Sequence, residues 1–195
     1  NPFSPDGGLR LMKGNIGRGV IKVSAVREGC RIIEAPAIVF NDQREVLAAF
    51  ERGELERDFV CVVRYQGPRA NGMPELHKLT PPLGILQDRG FKVALLTDGR
   101  MSGASGKVPA SIHMTPEALM GGNIAKIRTG DLIRFDSVTG ELNVLINEAE
   151  WSSREVERID LSANQQGCGR ELFANFRSMT SSAETGAMSF GGEFA

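Results

Sequence analysis

The sequence predicts one α/β domain, in which a mixed, barrel-like β-sheet carries flanking helices. Short apolar runs rich in Val and Ile recur along the chain, which favours strands, and helical patterns separate several of them. Strand-to-helix units dominate the first half, whereas hairpin-type spacing occurs near residues 124–146. A chain of 195 residues that is 41% hydrophobic and 24% charged can bury one full core. We therefore predict a single domain that contains both parallel and antiparallel strands.

The amino-terminal part contains two predicted strands and one helix. Alternation in VIKVSAV predicts a strand over residues 20–26, and the apolar residues 38–40 predict another. Asn41 or Asp42 can then cap a helix that runs to about Arg52, because such side chains accept hydrogen bonds from the free N–H groups of a first turn. This part is therefore a strand-to-helix unit.

Two apolar runs in the middle of the chain predict buried strands, and a glycine-rich loop follows each of them. Residues 58–64 (DFVCVVR) lead into RYQGPRANGMPE at 64–75, and residues 91–96 (FKVALL) lead into TDGRMSGASGK at 97–107. A helix that starts at Thr80 connects the two units. Glycine loops with few bulky residues let backbone N–H groups approach a ligand, so these loops are the predicted site.

The last third of the chain predicts an antiparallel part, two late helices and a tail. A helix start is predicted at residues 115–117, and three short strands separated by hairpin-type turns are predicted at 124–127, 132–135 and 142–146. Late helices are predicted at 148–156 and 170–179. Residues 181–195 are small and polar with several glycines, so we expect poor order there unless a partner covers them.

The charge pattern argues against a nucleic acid partner, and the lack of a long apolar run argues against a membrane partner. The formal net charge is -1 and the basic residues are scattered, so the field that attracts nucleic acid is absent. No apolar run approaches the roughly 20 residues that cross a bilayer, and the first residues do not resemble a secretion signal. We therefore expect no nucleic acid, no membrane partner and a cytoplasmic location.

Three cysteines, Cys30, Cys61 and Cys168, raise the question of an iron-sulfur cluster. No two of them form a Cys-x-x-Cys pair, and each lies in a different part of the chain. Cys61 lies within an apolar strand, where a thiol behaves as a small hydrophobic group. Packing roles are therefore favoured, and the odd count suits a reducing compartment.

The glycine loops carry the residues best suited to chemistry. Glu75 and Asp98 offer oxygen ligands of the kind that magnesium prefers. The Ser102 hydroxyl could act as a base only if a metal or a neighbouring charge lowered its pKa. The simpler interpretations are a carboxylate favoured by a helix N-terminus for Glu75 and an ordinary turn residue for Ser102.

The two histidines, His77 and His113, favour no metal site, because neither has further ligands at metal-binding spacing. A triad of Ser102, His113 and Asp98 can be written, but the sequence lacks the strand-turn-helix motif that would expose a nucleophilic serine. Supporting or structural roles are favoured for both histidines.

Five segments resemble the C-terminal domain of the sugar-acid and dihydroxy-acid dehydratase family. They are GGLRLMKGNIG at 7–17, IEAPAIVFNDQ at 33–43, RYQGPRANGMPELHKL at 64–79, TDGRMSGASGKVPASIHMTPEA at 97–118 and GRELF at 169–173. The resemblance covers nearly the whole chain, and the second and third of these motifs, at 33–43 and 64–79, are highly specific. It implies a β/β/α barrel of the swivelling type, and it implies that residues 1–195 form the C-terminal domain of a longer dehydratase.

The resemblance also implies roles in a site that is completed elsewhere. Ser102 matches the serine proposed in the family as the alkoxide base, with Ser105 as its nearby competitor. Glu75 matches the carboxylate that reaches a magnesium ion. The cysteines that hold the family's iron-sulfur cluster lie in an N-terminal domain that this sequence does not contain, and a homodimer is implied. The isolated chain is therefore expected to be inactive.

The first glycine loop looks more like the branch of the family that acts on 6-phosphogluconate in the Entner-Doudoroff pathway. Six residues around the two loops are the candidates for substrate binding: Arg64, Arg69, Lys78, Arg100, Ser105 and Lys107. Any one of them is more often a solvated surface residue. Two alternatives stay open, a dihydroxy-acid dehydratase of branched-chain amino-acid synthesis and a non-catalytic module that binds sugar acids.

Overall fold

Eight strands form a closed barrel in the computed structural model, which describes residues 1, 3, 7–102 and 106–190. In chain order the strands are β1 Leu9–Gly14, β2 Gly17–Lys22, β3 Ile32–Phe40, β4 Phe59–Val63, β5 Val93–Thr97, β6 Ala110–Thr115, β7 Leu132–Asp136 and β8 Glu141–Val144. Around the barrel the order is β1-β2-β6-β5-β4-β3-β7-β8. The predicted mixed, barrel-like α/β fold is confirmed.

The barrel has a parallel half and a largely antiparallel half. Strands β3, β4, β5 and β6 pair side by side in parallel, whereas β2 with β6, β1 with β2, β3 with β7, and β7 with β8 are antiparallel. A parallel pairing of Lys13 with Glu141 joins β1 to β8 and closes the ring. All carboxyl ends of the parallel strands therefore meet at one mouth of the barrel.

The described residues also form five α-helices: α1 Gln43–Glu51, α2 Pro68–Asn71, α3 Thr80–Asp88, α4 Glu148–Ser153 and α5 Ala174–Met179. Helices α1 and α3 cover the outside of the parallel half, so its central strands β4 and β5 are buried on both faces. In β4, Val60 and Val62 point into the barrel, whereas Phe59, Cys61 and Val63 pack on the helices. Burial raises the pKa of the Cys61 thiol well above its ordinary value, which fits a packing role.

Local sequence signals place several elements correctly. Asp42 caps α1, and its carboxylate accepts a hydrogen bond from the Arg44 N–H at 2.7 Å. The turn at Thr139 and Gly140 joins β7 to β8 as a hairpin. The predicted strand at 124–127 is wrong, because the 3-10 helix Asn123–Lys126 occupies that stretch and buries its apolar residues at the barrel end.

The carboxyl-terminal segment differs from its predicted form. The helix predicted over 170–179 is a 3-10 turn, Arg170–Phe173, followed by α5. Residues 181–190 fold back, since the Ser181 N–H donates to the Met188 carbonyl at 2.9 Å, and Glu184 pairs with Arg18 at 3.0 Å. Poor order stays a prediction for residues 181–195, of which 191–195 lie outside the described residues. No helix of the described residues has both the length and the apolar composition needed to cross a bilayer.

Candidate functional site

The two glycine-rich loops meet at the mouth formed by the carboxyl ends of the parallel strands. They follow β4 and β5, which are neighbours with Val63 opposite Thr97. Further along, Glu75 and Arg100 form an isolated parallel bridge, and the Leu76 N–H donates to the Arg100 carbonyl at 3.2 Å. Backbone pairing therefore fixes one loop against the other.

Glu75 joins the predicted site residues of both loops. Its Oε1 accepts hydrogen bonds from the backbone N–H of Ser102 at 2.7 Å and of His77 at 3.0 Å. Its Oε2 lies 3.3 Å from Nη1 of Arg100, whose Nε donates to the Met73 carbonyl at 3.0 Å. All three side chains, of Glu75, Arg100 and Ser102, remain solvent-accessible. The structure thus brings a carboxylate, a guanidinium and an exposed serine together.

Asp98 lies beneath this group, and it is fully buried. Its carboxylate accepts from three backbone N–H groups: Gln66 at 2.9 Å, Ala118 at 2.9 Å and Tyr65 at 3.2 Å. Burial raises the pKa of Asp98 to about 6, although the three N–H donors favour the charged form and lower the pKa in part. Asp98 therefore holds three chain segments together and, with no oxygen exposed, is not placed to bind a metal in the mouth.

Glu117 is a second buried carboxylate at this mouth, and sequence reasoning missed its role. Its Oε1 accepts from the Arg69 N–H at 3.0 Å and its Oε2 from the Ala70 N–H at 3.2 Å, at the start of α2. Burial raises its pKa above the ordinary range. Gly67 permits this approach, because a Cβ there would lie 2.0 Å from the Glu117 carboxylate. The contact spans 48 residues along the chain, so no local pattern signals it.

Arg64 was a candidate for substrate binding, and the structure places it inside the protein. It is 2% exposed and donates to Asn41 at 3.1 Å, to the Ala125 and Ile127 carbonyls, and to Glu157 at 2.8 Å. These partners lie under the loops rather than in the mouth. Arg64 therefore supports the loops from below and is not a residue of the proposed site.

The other candidate residues are spread over different surfaces. Arg69 donates from Nε to the Thr180 carbonyl at 2.6 Å, and Lys78 is exposed in the turn after Glu75. Lys107 binds Asp88 at 2.7 Å, close to the point where the chain enters β5, at the other end of the parallel strands. Ser105 lies outside the described residues. Of the five candidates that the structure describes, only Arg100 is in contact with Glu75.

His113 lies beside the mouth in a left-handed conformation, with φ of 58°. Its N–H donates to the Gly99 carbonyl at 2.9 Å. Burial, followed by the positive charge of Arg100, lowers the pKa of His113 below its ordinary value. The recorded partners of Asp98 are backbone N–H groups, so the described residues give no support to a triad of Ser102, His113 and Asp98.

A cleft of about 660 Å³ opens between the first glycine loop and the carboxyl-terminal segment. Its wall includes Asn71, Arg100, His113, Arg170, Phe173 and Arg177. Arg100 belongs to both this cleft and the Glu75 group. The cleft is therefore continuous with the residues that the sequence singled out, and we call it the arginine cleft.

The metal-binding capacity of the described residues is small. They contain no group of three or more His, Cys, Asp or Glu side chains that could hold a metal ion. Cys61 is buried behind the barrel, Cys30 is partly buried in a separate turn and Cys168 is exposed in the carboxyl-terminal segment, so they do not fit a cluster. Glu75, with an accessible carboxylate, fits as one ligand of a magnesium ion whose other ligands come from elsewhere.

Comparisons with known proteins match this chain over almost its full length. A sequence model of the family described as dihydroxy-acid/6-phosphogluconate dehydratase C-terminal matches residues 1–187. The chain is 65% identical over 189 residues to phosphogluconate dehydratase of Pseudomonas aeruginosa, covering 97% of this chain and 31% of that protein. It is 60% identical over 186 residues to phosphogluconate dehydratase of Escherichia coli, covering 95% and 31%.

A more distant relative bears a different name. The chain is 36% identical over 192 residues to dihydroxy-acid dehydratase of Pyrococcus furiosus, covering 96% of this chain and 33% of that protein. The chain thus spans about a third of the length of the curated relatives that it matches.

Proposed function

Because the chain belongs to the dihydroxy-acid/6-phosphogluconate dehydratase C-terminal family, we propose that it serves a hydro-lyase that converts 6-phosphogluconate to 2-keto-3-deoxy-6-phosphogluconate. The relatives named phosphogluconate dehydratase are 60–65% identical to it, against 36% for the one named dihydroxy-acid dehydratase. The observation that carries the proposal is the contact of Glu75 with Ser102 and Arg100 at one mouth of the barrel. This would be a step of the Entner-Doudoroff pathway.

Ser102 is the proposed base. In the reaction, the proton beside the substrate carboxylate is removed, the neighbouring hydroxyl leaves as water, and the resulting enol becomes the 2-keto acid. The Ser102 side chain is exposed at the mouth, its backbone N–H is fixed on Glu75 at 2.7 Å, and the positive charge of Arg100 lies across the same carboxylate. Because Glu75 offsets the charge of Arg100, a cation bound at Glu75 would supply the positive charge that favours the deprotonated hydroxyl, while the exposed Arg100 attracts an anionic substrate.

Glu75 is the proposed ligand of a magnesium ion, which would supply positive charge to the developing enolate. The cysteines of this chain do not fit an iron-sulfur cluster, so we propose that the cluster ligands belong to an N-terminal domain of the same protein. Exposed apolar side chains beside the arginine cleft support such a covering partner: Leu172, Phe173, Phe176 and Phe190. The homodimer and the cytoplasmic location stay predictions.

Substrate preference of the full-length protein tests the proposed reaction. We expect formation of a 2-keto acid from 6-phosphogluconate, with a higher kcat/KM than for 2,3-dihydroxyisovalerate. A preference for 2,3-dihydroxyisovalerate would instead support the dihydroxy-acid dehydratase alternative, to which the chain has lower identity. Absence of 2-keto acid from both substrates would contradict the proposal.

Ser102→Ala in the full-length protein distinguishes catalysis from simple binding. We expect kcat to fall by roughly 100-fold or more while affinity for 6-phosphogluconate is kept, because loss of a general base removes proton transfer rather than binding. Wild-type turnover in this variant would exclude Ser102 as the base and would favour the module that only binds sugar acids.

A further inference from the structure

The arginine cleft has a one-sided charge. Among the described residues that line it are Arg100, Arg170, Arg177 and His113, and none is Asp or Glu. Its volume of about 660 Å³ lies within the range of small-molecule sites. An excess of positive charge in a concave site favours an anionic ligand.

Arg177 is the most unusual of these residues, because it is buried and no carboxylate of the described residues forms a hydrogen bond or ion pair with it. It is 9% exposed, its Nη1 donates to the Arg170 carbonyl at 2.9 Å and its Nη2 to Gln165 Oε1 at 2.8 Å. Its buried Nε has no acceptor among the described residues. The positive charge of Arg177 contributes to a lowered pKa of Glu171. Glu171 is nevertheless exposed, and its carboxylate accepts a hydrogen bond from the Gly167 N–H at 2.7 Å.

Two other buried arginines show what is missing at Arg177. Arg154 is 8% exposed and pairs with Asp131 and with Glu150 at 2.7 Å. Arg64 is 2% exposed and pairs with Glu157 at 2.8 Å. Since a buried charge without a counter-ion is costly, the guanidinium of Arg177 points to an anion supplied by a ligand.

Arg170 is only half-buried, and its carbonyl accepts the hydrogen bond from Arg177. Its Nη2 donates to Asn71 Oδ1 at 2.7 Å, and its Nε donates to the Asn164 carbonyl. Asn71 belongs to the first glycine loop, and the Arg177 side chain lies against Gly72 of the same loop, where a Cβ would be 3.7 Å from its Cδ. Neutral acceptors therefore position both guanidinium groups, and the described residues place no carboxylate in hydrogen-bond contact with either of them.

We propose that Arg170 and Arg177 bind the phosphate group of a phosphorylated sugar acid in the arginine cleft. This rests on the proposed function for the orientation of the substrate: its reacting end lies toward Arg100, Glu75 and Ser102, and its phosphate lies where Arg170 and Arg177 contact Asn71 and Gly72. Guanidinium groups suit this role because they donate two parallel hydrogen bonds to phosphate oxygens. The cleft then selects phosphorylated over unphosphorylated sugar acids.

The test compares 6-phosphogluconate with gluconate, which lacks the phosphate, in the full-length protein. Calorimetry in the Ser102→Ala background, which keeps binding but not turnover, measures the affinity for both ligands with and without Arg170→Gln, Arg177→Gln and Arg177→Lys. Initial rates of the same arginine variants with Ser102 intact give kcat and KM. Arg52→Gln is the charge-matched control, since Arg52 is exposed and pairs with Glu54 away from the cleft. We expect Arg170→Gln and Arg177→Gln to weaken 6-phosphogluconate binding roughly 10- to 100-fold, with gluconate binding unchanged.

Arg177→Lys should weaken 6-phosphogluconate binding as well, because an ammonium group keeps the charge but not the fork of donors. If thermal unfolding shows that Arg177→Gln does not fold, Arg170→Gln and Arg177→Lys carry the test. Unchanged affinity for 6-phosphogluconate in these two variants would overturn the proposal, and so would equal weakening of gluconate, which would assign the arginines to the carboxylate end.

The two proposals can fail separately. A full-length protein that forms no 2-keto acid, yet binds 6-phosphogluconate with this arginine dependence, overturns the proposed reaction and supports the phosphate site. A protein that dehydrates 6-phosphogluconate with wild-type KM in all the arginine variants supports the reaction and overturns the phosphate site.

Discussion

Charged residues gather at both ends of the parallel strands, but the two ends hold them in different ways. At the carboxyl end, Asp98 and Glu117 are buried and accept hydrogen bonds from backbone N–H groups of neighbouring segments. At the amino end, Asp88 is exposed and pairs with Lys107 at 2.7 Å and Arg27 at 3.2 Å. The first arrangement fixes the backbone of the glycine loops, whereas the second joins flexible side chains in water.

The difference teaches how a loop-built site can be rigid. A buried carboxylate that accepts several backbone N–H groups ties chain segments that share no regular pairing, and losing it leaves those groups unsatisfied. Exposed ion pairs contribute little, because solvent screens them and both side chains lose freedom. The carboxyl end should therefore be sensitive to substitution, and the amino end should be tolerant.

Asp98→Ala gives the largest expected loss of stability. Three buried N–H groups, of Tyr65, Gln66 and Ala118, would lose their acceptor, so we expect the free energy of unfolding to fall by about 3 kcal/mol. Asp88→Ala at the amino end is the matched control, with a small loss that added salt removes. Urea unfolding of both variants measures the difference, and equal losses would break the comparison.

Gly67→Ala should have the next largest effect. The new Cβ would meet the Glu117 carboxylate at 2.0 Å, which forces that buried group away from the start of α2 and costs about 2 kcal/mol. Gly84→Ala in α3 is the control, because a Cβ there meets nothing within 4 Å; it should be neutral or stabilise by up to about 1 kcal/mol. Thermal unfolding would contradict this account if Gly67→Ala were as stable as Gly84→Ala.

A change of pH should alter stability less than these substitutions do. The change should have opposite signs for Asp98 at the carboxyl end and Asp88 at the amino end of the parallel strands. Burial raises the pKa of Asp98 to about 6 in the folded protein, against a pKa near 4 in the unfolded chain. Its contribution to the free energy of unfolding is therefore complete below pH 4 and is lost as pH rises through 6. Between pH 5 and pH 7 we expect this group to cost roughly 1 kcal/mol. Lys107 lowers the pKa of Asp88, so its contribution is present above the unfolded value and is lost as pH falls.

Unfolding measured across this pH range for the wild type and Asp98→Asn isolates the first contribution. The difference in free energy of unfolding, wild type minus variant, should decrease from pH 5 to pH 7. A difference that stays constant or increases would show that Asp98 does not titrate in this range in the folded protein.

Sequence patterns found the parallel core but not the whole barrel. The runs that became β4 and β5 are buried throughout and almost entirely apolar, because helices cover their outer face and the barrel interior covers their inner face. Strands β1 and β6 were not predicted: β1 carries exposed and glycine positions, and β6 mixes small, polar and apolar residues. Their strand character comes from pairing with distant neighbours, which a local pattern does not contain.

The site shows the same limit. The family resemblance pointed to Glu75 and Ser102, which lie 27 residues apart in sequence and are joined by a hydrogen bond. It did not reveal that Arg64 is buried under the loops or that Glu117 reaches the start of α2. Those contacts depend on how segments far apart in sequence pack, so only the folded chain displays them.

The most direct test of the central claim, that Glu75 and Ser102 act as one unit, is a double-mutant cycle in the full-length protein. It measures kcat/KM for 6-phosphogluconate in Ser102→Ala, Glu75→Gln and the double variant. Because residues that act together lose their effect together, the double variant should be no slower than Ser102→Ala alone. Losses that multiply in the double variant would show that the two residues act independently and would contradict the account.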